Sequence, residues 1–410
     1  FMIHPKQMQH GGVLFLQAED GIRGAQESRG LGDVYKRQPL ARTLPDELRG
    51  IVTVLNTPFT EDDRIDLQSL EQNVIRACEA GVAGFLVPAL AGEVGQLRRD
   101  ERVAMVRTVL ETVRFYGERH VPRERRILGE DRYLQPKESA RQVHDMKGGR
   151  AVQWTTDLEG TPESFQAPIG RLHGPWVIGG STAQDKKERV AAAEALLELG
   201  CDGILAWIPY TTDGQYEQEV RELASLKPPF LMLQDWDPSG PGLPIELIRR
   251  LFEEVEEFKA LKIETTLAGP KYTAVLKATR GMLHVSGGWA VTQMIEALDR
   301  GVHAFMPTGM HEIYCEIFRR YATGNREGAT DLFRKILPVL AFSNQHLDIS
   351  ILFFKRLLWR EGTYTTLRCR KLQYQWDEYQ ERIADELIQL AVKLRLELDK
   401  VNPADFSLSQ

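Results

Sequence analysis

The pair with the most chemistry in this chain is Lys262 and Glu264, in the run Phe258-Lys259-Ala260-Leu261-Lys262-Ile263-Glu264-Thr265-Thr266. The run reads as a short buried strand, and residues two apart on a strand share a face. A lysine on a core-facing position needs a reason. A desolvated amine gives up its proton more readily, and once neutral it attacks a ketone to form a Schiff base. The competing reading is a structural ion pair between the two side chains. Polar groups also end the neighbouring apolar runs: Asn56-Thr57, Gly92-Glu93, Tyr210-Thr211-Thr212, Gln234-Asp235, Ser286-Gly287-Gly288 and Thr308-Gly309.

What must position these groups is a regular alternation that starts near Gly50. Apolar strands are expected at Ile51–Leu55, Gly84–Val87, Trp176–Gly180, Asp202–Ile208, Phe230–Leu233, Phe258–Ile263, Gly281–Val285 and Val302–Met306. Amphipathic helices follow them, as in Asp66–Glu79, where Leu67, Leu70, Val74 and Ile75 share one face. Strands apolar on both faces belong in parallel sheets. Eight strand–helix repeats therefore predict a (β/α)8 TIM barrel over about 46–324, whose C-terminal strand ends converge on one mouth. Beyond it, Arg326–Phe342, His346–Trp359 and Trp376–Leu398 predict a C-terminal helical region over 325–410.

Composition narrows the class. The chain has 410 residues, 42% hydrophobic and 27% charged, with a net charge of −6. That is ordinary for a soluble enzyme and gives no basic footprint, so neither nucleic acid nor an anionic membrane is an expected partner. No apolar run reaches the ~20 residues of a membrane span. Cys78, Cys201, Cys315 and Cys369 show no metal-binding spacing, which points to a reduced, cytoplasmic protein.

Two stretches stand apart. Gln17–Arg23 and Ser28–Gln38 resemble translated sequencing-adapter DNA, so residues 1–45 are expected to be a non-native or disordered leader, excluded from the fold. Residues of about 117–172 lack periodicity and read as an insertion between the second helix and the third strand. That connection lies at the barrel face opposite the expected site.

The ordered set of motifs resembles the dihydrodipicolinate synthase and N-acetylneuraminate lyase family, the pyruvate-dependent class I aldolases. Thr57-Pro58-Phe59 with Asp63 and Asp66 is similar to the family's first loop. Gly92-Glu93 with Leu97 and Glu101-Arg102 is similar to its second-strand signature. Ile178-Gly179-Gly180, Pro209-Tyr210 and Lys262 with Glu264 follow in order. The resemblance implies a lyase, aldolase or dehydratase, in which Lys262 forms an imine with pyruvate or another 2-oxo acid. Backbone amides of the Leu90-Ala91 loop would hold the substrate carboxylate, and Glu264 would steady the iminium. It also implies a homo-oligomer, with no cofactor and no metal. The substrate-binding candidates are Leu90, Ala91, Gly92, Glu93, Tyr210, Ser286 and Gly287.

The chain departs from the family where protons move. Ala89-Leu90-Ala91 replaces a hydroxyl-bearing pair, and Leu233-Gln234-Asp235-Trp236-Asp237-Pro238 lacks the tyrosine that ends the fifth strand. Asp235 is the candidate acid or base in its place, against a reading as a turn-capping residue. Tyr210 is either a lining or a rim residue. Two other classes remain: a metal-dependent lyase using Glu93, Asp235 and His284 or His303, and a barrel that binds a 2-oxo acid without turnover.

Overall fold

The computed structural model describes residues 44–120, 174–288 and 291–400. All of these lie in one compact unit, Arg42–Gln410. Nearly all of the expected leader and of the expected insertion lies outside the described residues; the helix Arg99–His120 runs past 117, where the insertion was placed to begin.

Eight parallel strands close into a barrel in sequence order: β1 (Gly50–Val54), β2 (Gly84–Val87), β3 (Trp176–Gly180), β4 (Gly203–Ala206), β5 (Leu231–Asp237), β6 (Phe258–Thr265), β7 (His284–Gly287) and β8 (Ala304–Phe305). The TIM barrel is therefore observed as expected. Inside, Val52, Leu86, Ile178, Leu205, Met232, Ala260 and Ala304 form one apolar cluster. Outside, Ile51, Phe85, Val177, Ile204, Leu233, Leu261 and Phe305 pack against the surrounding helices in another. Asp66, Asp185 and Thr212 cap three of those helices by accepting backbone amides of the first turn.

Strand β7 lies later than expected. Gly281 has φ +69° and belongs to the turn after the preceding helix, so the strand begins only at His284. Strands β5 and β6 are longer than expected, and they lose a residue of register between Leu231 and Met232. Lys259 is the extra residue of this bulge, which sets the pairing of everything beyond it. The C-terminal helices Arg326–Ser343, Leu347–Arg360 and Glu378–Lys400 continue the same hydrophobic core.

Candidate active site

The C-terminal mouth of the barrel opens into a cavity of about 650 Å³. Lys262 and Glu264 are on its wall, each side chain 8% exposed, with Lys262 Nζ 3.0 Å from Glu264 Oε1. Their parity on β6 follows Ala260, which faces the barrel interior. Past the bulge, Gln234 pairs with Lys262, and Lys262 pairs with Ser286. Gln234 Nε2 donates to Glu264 Oε2, so the carboxylate is gripped by a strand neighbour on one oxygen and by the lysine on the other. Room for that carboxylate depends on Gly288: a Cβ there would lie 2.2 Å from Glu264 Cγ.

One wall is the turn after β2. Leu90–Gly92 forms a single 3-10 turn, and Glu93 takes a left-handed conformation at φ 57°. Within it, the amides of Gly92 and Glu93 donate to Ala89 and Leu90 carbonyls at 2.9 and 3.0 Å, and that of Val94 to Ala89 at 3.3 Å. The first amides of such a turn, those of Leu90 and Ala91, have no intrahelical acceptor. Asn56 Nδ2 donates to the Ala91 carbonyl at 2.8 Å, and the Thr57 hydroxyl to the Gly92 carbonyl, which pins the turn to the end of β1. A Cβ on Gly92 would sit 2.6 Å from the Leu55 carbonyl oxygen, so only glycine fits.

Several expected residues are not where the sequence reading put them. Asp235 is not at the mouth. It shares the face of Leu231 and Leu233, directed at the helices, where it pairs with Lys271 and accepts the Leu243 amide at 2.8 Å. Burial raises its pKa, as an acid would need, with Lys271 and the Leu243 amide pulling the other way. No substrate in the barrel reaches it, and Gln234 holds the inward position. Glu93 lines the cavity but is already engaged: Lys355 pairs with Oε1, and the Arg370 amide donates to Oε2 at 2.8 Å. Tyr210 is 43% exposed on the rim, its hydroxyl donating to Asp213 at 2.7 Å, a carboxylate that pushes the phenol pKa up. Gly287 faces outward toward Tyr272 and Phe305. Ser286 points inward beside Lys262 but is fully buried, its hydroxyl 3.4 Å from the Leu261 carbonyl.

The ligand set considered for a metal is likewise dispersed. His284 donates Nε2 to the Leu48 carbonyl at 2.7 Å, two residues before Ser286 and so deeper in the barrel. His303 Nδ1 accepts the Val285 amide at 3.0 Å. Burial holds these imidazoles neutral, at about 4 and about 2. Among the described residues no three His, Cys, Asp or Glu side chains gather as metal ligands. No described helix is long and apolar enough to cross a membrane.

The sequence puts Gln234, Trp236 and Gly288 at the strand ends without giving them a role, and it did not reveal which C-terminal residues roof the cavity. The roof is the turn between the helices Arg326–Ser343 and Leu347–Arg360, where Ser343, Asn344, His346 and Leu347 line the cavity with Phe354.

Comparison with known proteins finds the same fold. The dihydrodipicolinate synthetase family profile matches residues 47–115. The 4-hydroxy-tetrahydrodipicolinate synthase of Methanothermobacter thermautotrophicus is 34% identical over 67 residues, which is 16% of this chain and 24% of that protein. The alignments with three of these relatives thus span only about a quarter of each relative's length. The Moorella thermoacetica synthase is 21% identical over 295 residues, covering 70% of this chain and 80% of that protein. Among solved structures, the Methylacidiphilum fumariolicum synthase superposes with a TM-score of 0.65 at 15% identity, covering 86% of this chain and 99% of that one. Dihydrodipicolinate synthase from Rhodopseudomonas palustris gives 0.65 at 18%, with 84% and 98% covered. The barrel, its C-terminal helices and the ordered motifs point the same way: over residues 47–115 the chain is similar to the dihydrodipicolinate synthetase family, and its fold is that of the solved synthases.

Proposed function

We propose that this protein is a Schiff-base-forming lyase, an aldolase or dehydratase, acting on pyruvate or another 2-oxo acid. The observation that carries the reading is Lys262 Nζ, at the wall of the cavity in the barrel mouth, 3.0 Å from Glu264 Oε1. The amine attacks the keto carbon, water leaves, and the resulting iminium withdraws electrons from the adjacent carbon. A proton or a carbon–carbon bond on that carbon then breaks, its electron pair passing into the enamine. Glu264, held by Gln234, faces the developing charge and can take or return the proton. In this reading the amides of Leu90 and Ala91, which have no acceptor within their own turn, hold the substrate carboxylate, a role that does not need hydroxyl side chains.

Borohydride reduction in the presence of pyruvate tests this. Covalent capture mapped by mass spectrometry to Lys262, and absent in Lys262→Ala, is expected; capture that persists in the variant would falsify the assignment. Capture without turnover on any acceptor would mark a binding barrel instead.

The same reading carries a homo-oligomer. Leu267, Trp359 and Tyr379 are large apolar side chains left exposed, available to a subunit contact. Light scattering should give a mass of two or more chains, and a single-chain mass would remove this part. One solved relative is itself described as a monomeric variant. The four unpaired cysteines fit a reducing compartment such as the cytoplasm.

A further inference from the structure

Five buried residues form an unbroken hydrogen-bonded chain that ends on the turn Leu90–Gly92 at the cavity wall. Asn56 Nδ2 donates to the Ala91 carbonyl at 2.8 Å. The backbone carbonyl of Asn56 accepts the Tyr364 hydroxyl at 3.1 Å, and that hydroxyl accepts Asn73 Nδ2 at 3.3 Å. Asn73 Oδ1 lies 3.0 Å from His311 Nε2, and His311 Nδ1 lies 3.2 Å from the Thr53 hydroxyl. None of the five is more than 3% exposed.

The chemistry of one link fixes the protons in the rest. A carbonyl only accepts, so the Tyr364 proton goes to Asn56, and toward Asn73 the same hydroxyl oxygen must accept. Asn73 then presents its nitrogen to Tyr364 and its oxygen to His311. The imidazole proton therefore sits on Nε2, which leaves Nδ1 to accept from Thr53. Every donor points toward the turn, an alignment in which each bond strengthens the next. The chain draws on β1, the helices Leu67–Glu79 and His311–Ala322, and the segment after the helix Leu347–Arg360. It stops at the turn whose Leu90 and Ala91 amides have no acceptor within it. Breaking one link strands buried donors and acceptors on both sides, and Asn56 must shift to satisfy its own.

We infer that Thr53, His311, Asn73, Tyr364 and Asn56 are positioning residues that aim the Leu90 and Ala91 amides at the substrate carboxylate. The inference rests on the proposed attachment of a 2-oxo acid to Lys262 with its carboxylate on that turn. It makes the affinity for the carboxylate depend on a tyrosine in the C-terminal region that itself lies outside the cavity lining.

Borohydride capture at Lys262 is measured against concentration for pyruvate and for methyl pyruvate, which keeps the keto carbon and lacks the charged carboxylate. In the parent, the ester should half-saturate capture at a concentration about tenfold higher, the worth of hydrogen bonds to a charged group. That ratio should fall to near one in Tyr364→Phe, which removes the hydroxyl and keeps the ring, and in Asn56→Leu. A chain that only held the fold together would shift both concentrations alike, so a ratio unchanged in both variants overturns the inference. A ratio lost in Asn56→Leu alone overturns the roles of Tyr364, Asn73, His311 and Thr53. A ratio near one in the parent shows that the turn reads no carboxylate and overturns the inference while the lysine chemistry stands. If neither compound is captured by the parent, the Schiff-base reading fails alone. Calorimetric binding of the same two compounds then decides the chain by the same ratio.

Discussion

At the scale of the residue, the site turns on which neighbour of Lys262 occupies the inward position of β5. That residue is Gln234, and it has no proton to relay at ordinary pH. Its Nε2 instead fixes the Glu264 carboxylate against rotation, beside the amine. We therefore expect Gln234→Leu to lower kcat about 10- to 100-fold, the worth of a hydrogen bond to a charged group. KM should change little, and capture by borohydride should persist, because Lys262 is untouched. Steady-state kinetics would check this; an equal rise in KM with kcat intact would show that Gln234 binds substrate rather than positioning Glu264.

The scale of the element is set by the ties between the C-terminal region and the mouth. Lys355, on the helix Leu347–Arg360, is 1% exposed, pairs with Glu93, donates to the Arg368 carbonyl at 2.7 Å and lies 4.4 Å over the Phe59 ring. The following segment is stitched down as well. The Tyr364 hydroxyl donates to the Asn56 carbonyl at 3.1 Å, and Arg370 makes two bonds to Glu101, at 2.6 and 2.8 Å. Those bonds hold the Glu101 carboxyl down to about 2. Removing Lys355 alone leaves the Glu93 charge buried and uncompensated. Lys355→Met should thus cost about 3–5 kcal/mol, and adding Glu93→Gln should recover part of it. Urea denaturation gives both values, and a single variant as stable as the parent would show that the pair contributes nothing to holding the roof.

For the whole molecule, buried histidines link the fold to pH. His311 accepts the Thr53 hydroxyl at Nδ1 (3.2 Å) and donates Nε2 to Asn73 Oδ1 (3.0 Å), joining β1 to two helices. Burial lowers His311 and His284 to about 4. With the folded value depressed below that of the unfolded chain, the unfolded state binds more protons in that interval. The stability these residues contribute is intact above about pH 6.5 and is lost as pH falls toward 4, each adding up to ~1.4 kcal/mol per pH unit. Urea midpoints should therefore be level above pH 7 and drop steeply between 6.5 and 4. A level midpoint throughout would show that these imidazoles titrate freely.

Local chemistry alone determined the barrel, because eight apolar runs each followed by an amphipathic helix admit few other packings. It also determined that Lys262 and Glu264 lie side by side, since residues two apart share a strand face whichever way the strand turns. What it left open was inside against outside. Strands of a parallel barrel are apolar on both faces, so alternation does not say whether Gln234 or Asp235 looks inward. The bulge at Lys259 and the closure of the sheet decided that, sending Asp235 to Lys271 and Gln234 to the site. The occupation of Glu93 by a lysine 262 positions away, and the roof built by Ser343 and Asn344, have no local signature. Only the tertiary structure decided them, because contacts between distant segments are fixed by how the elements pack rather than by any periodicity within one.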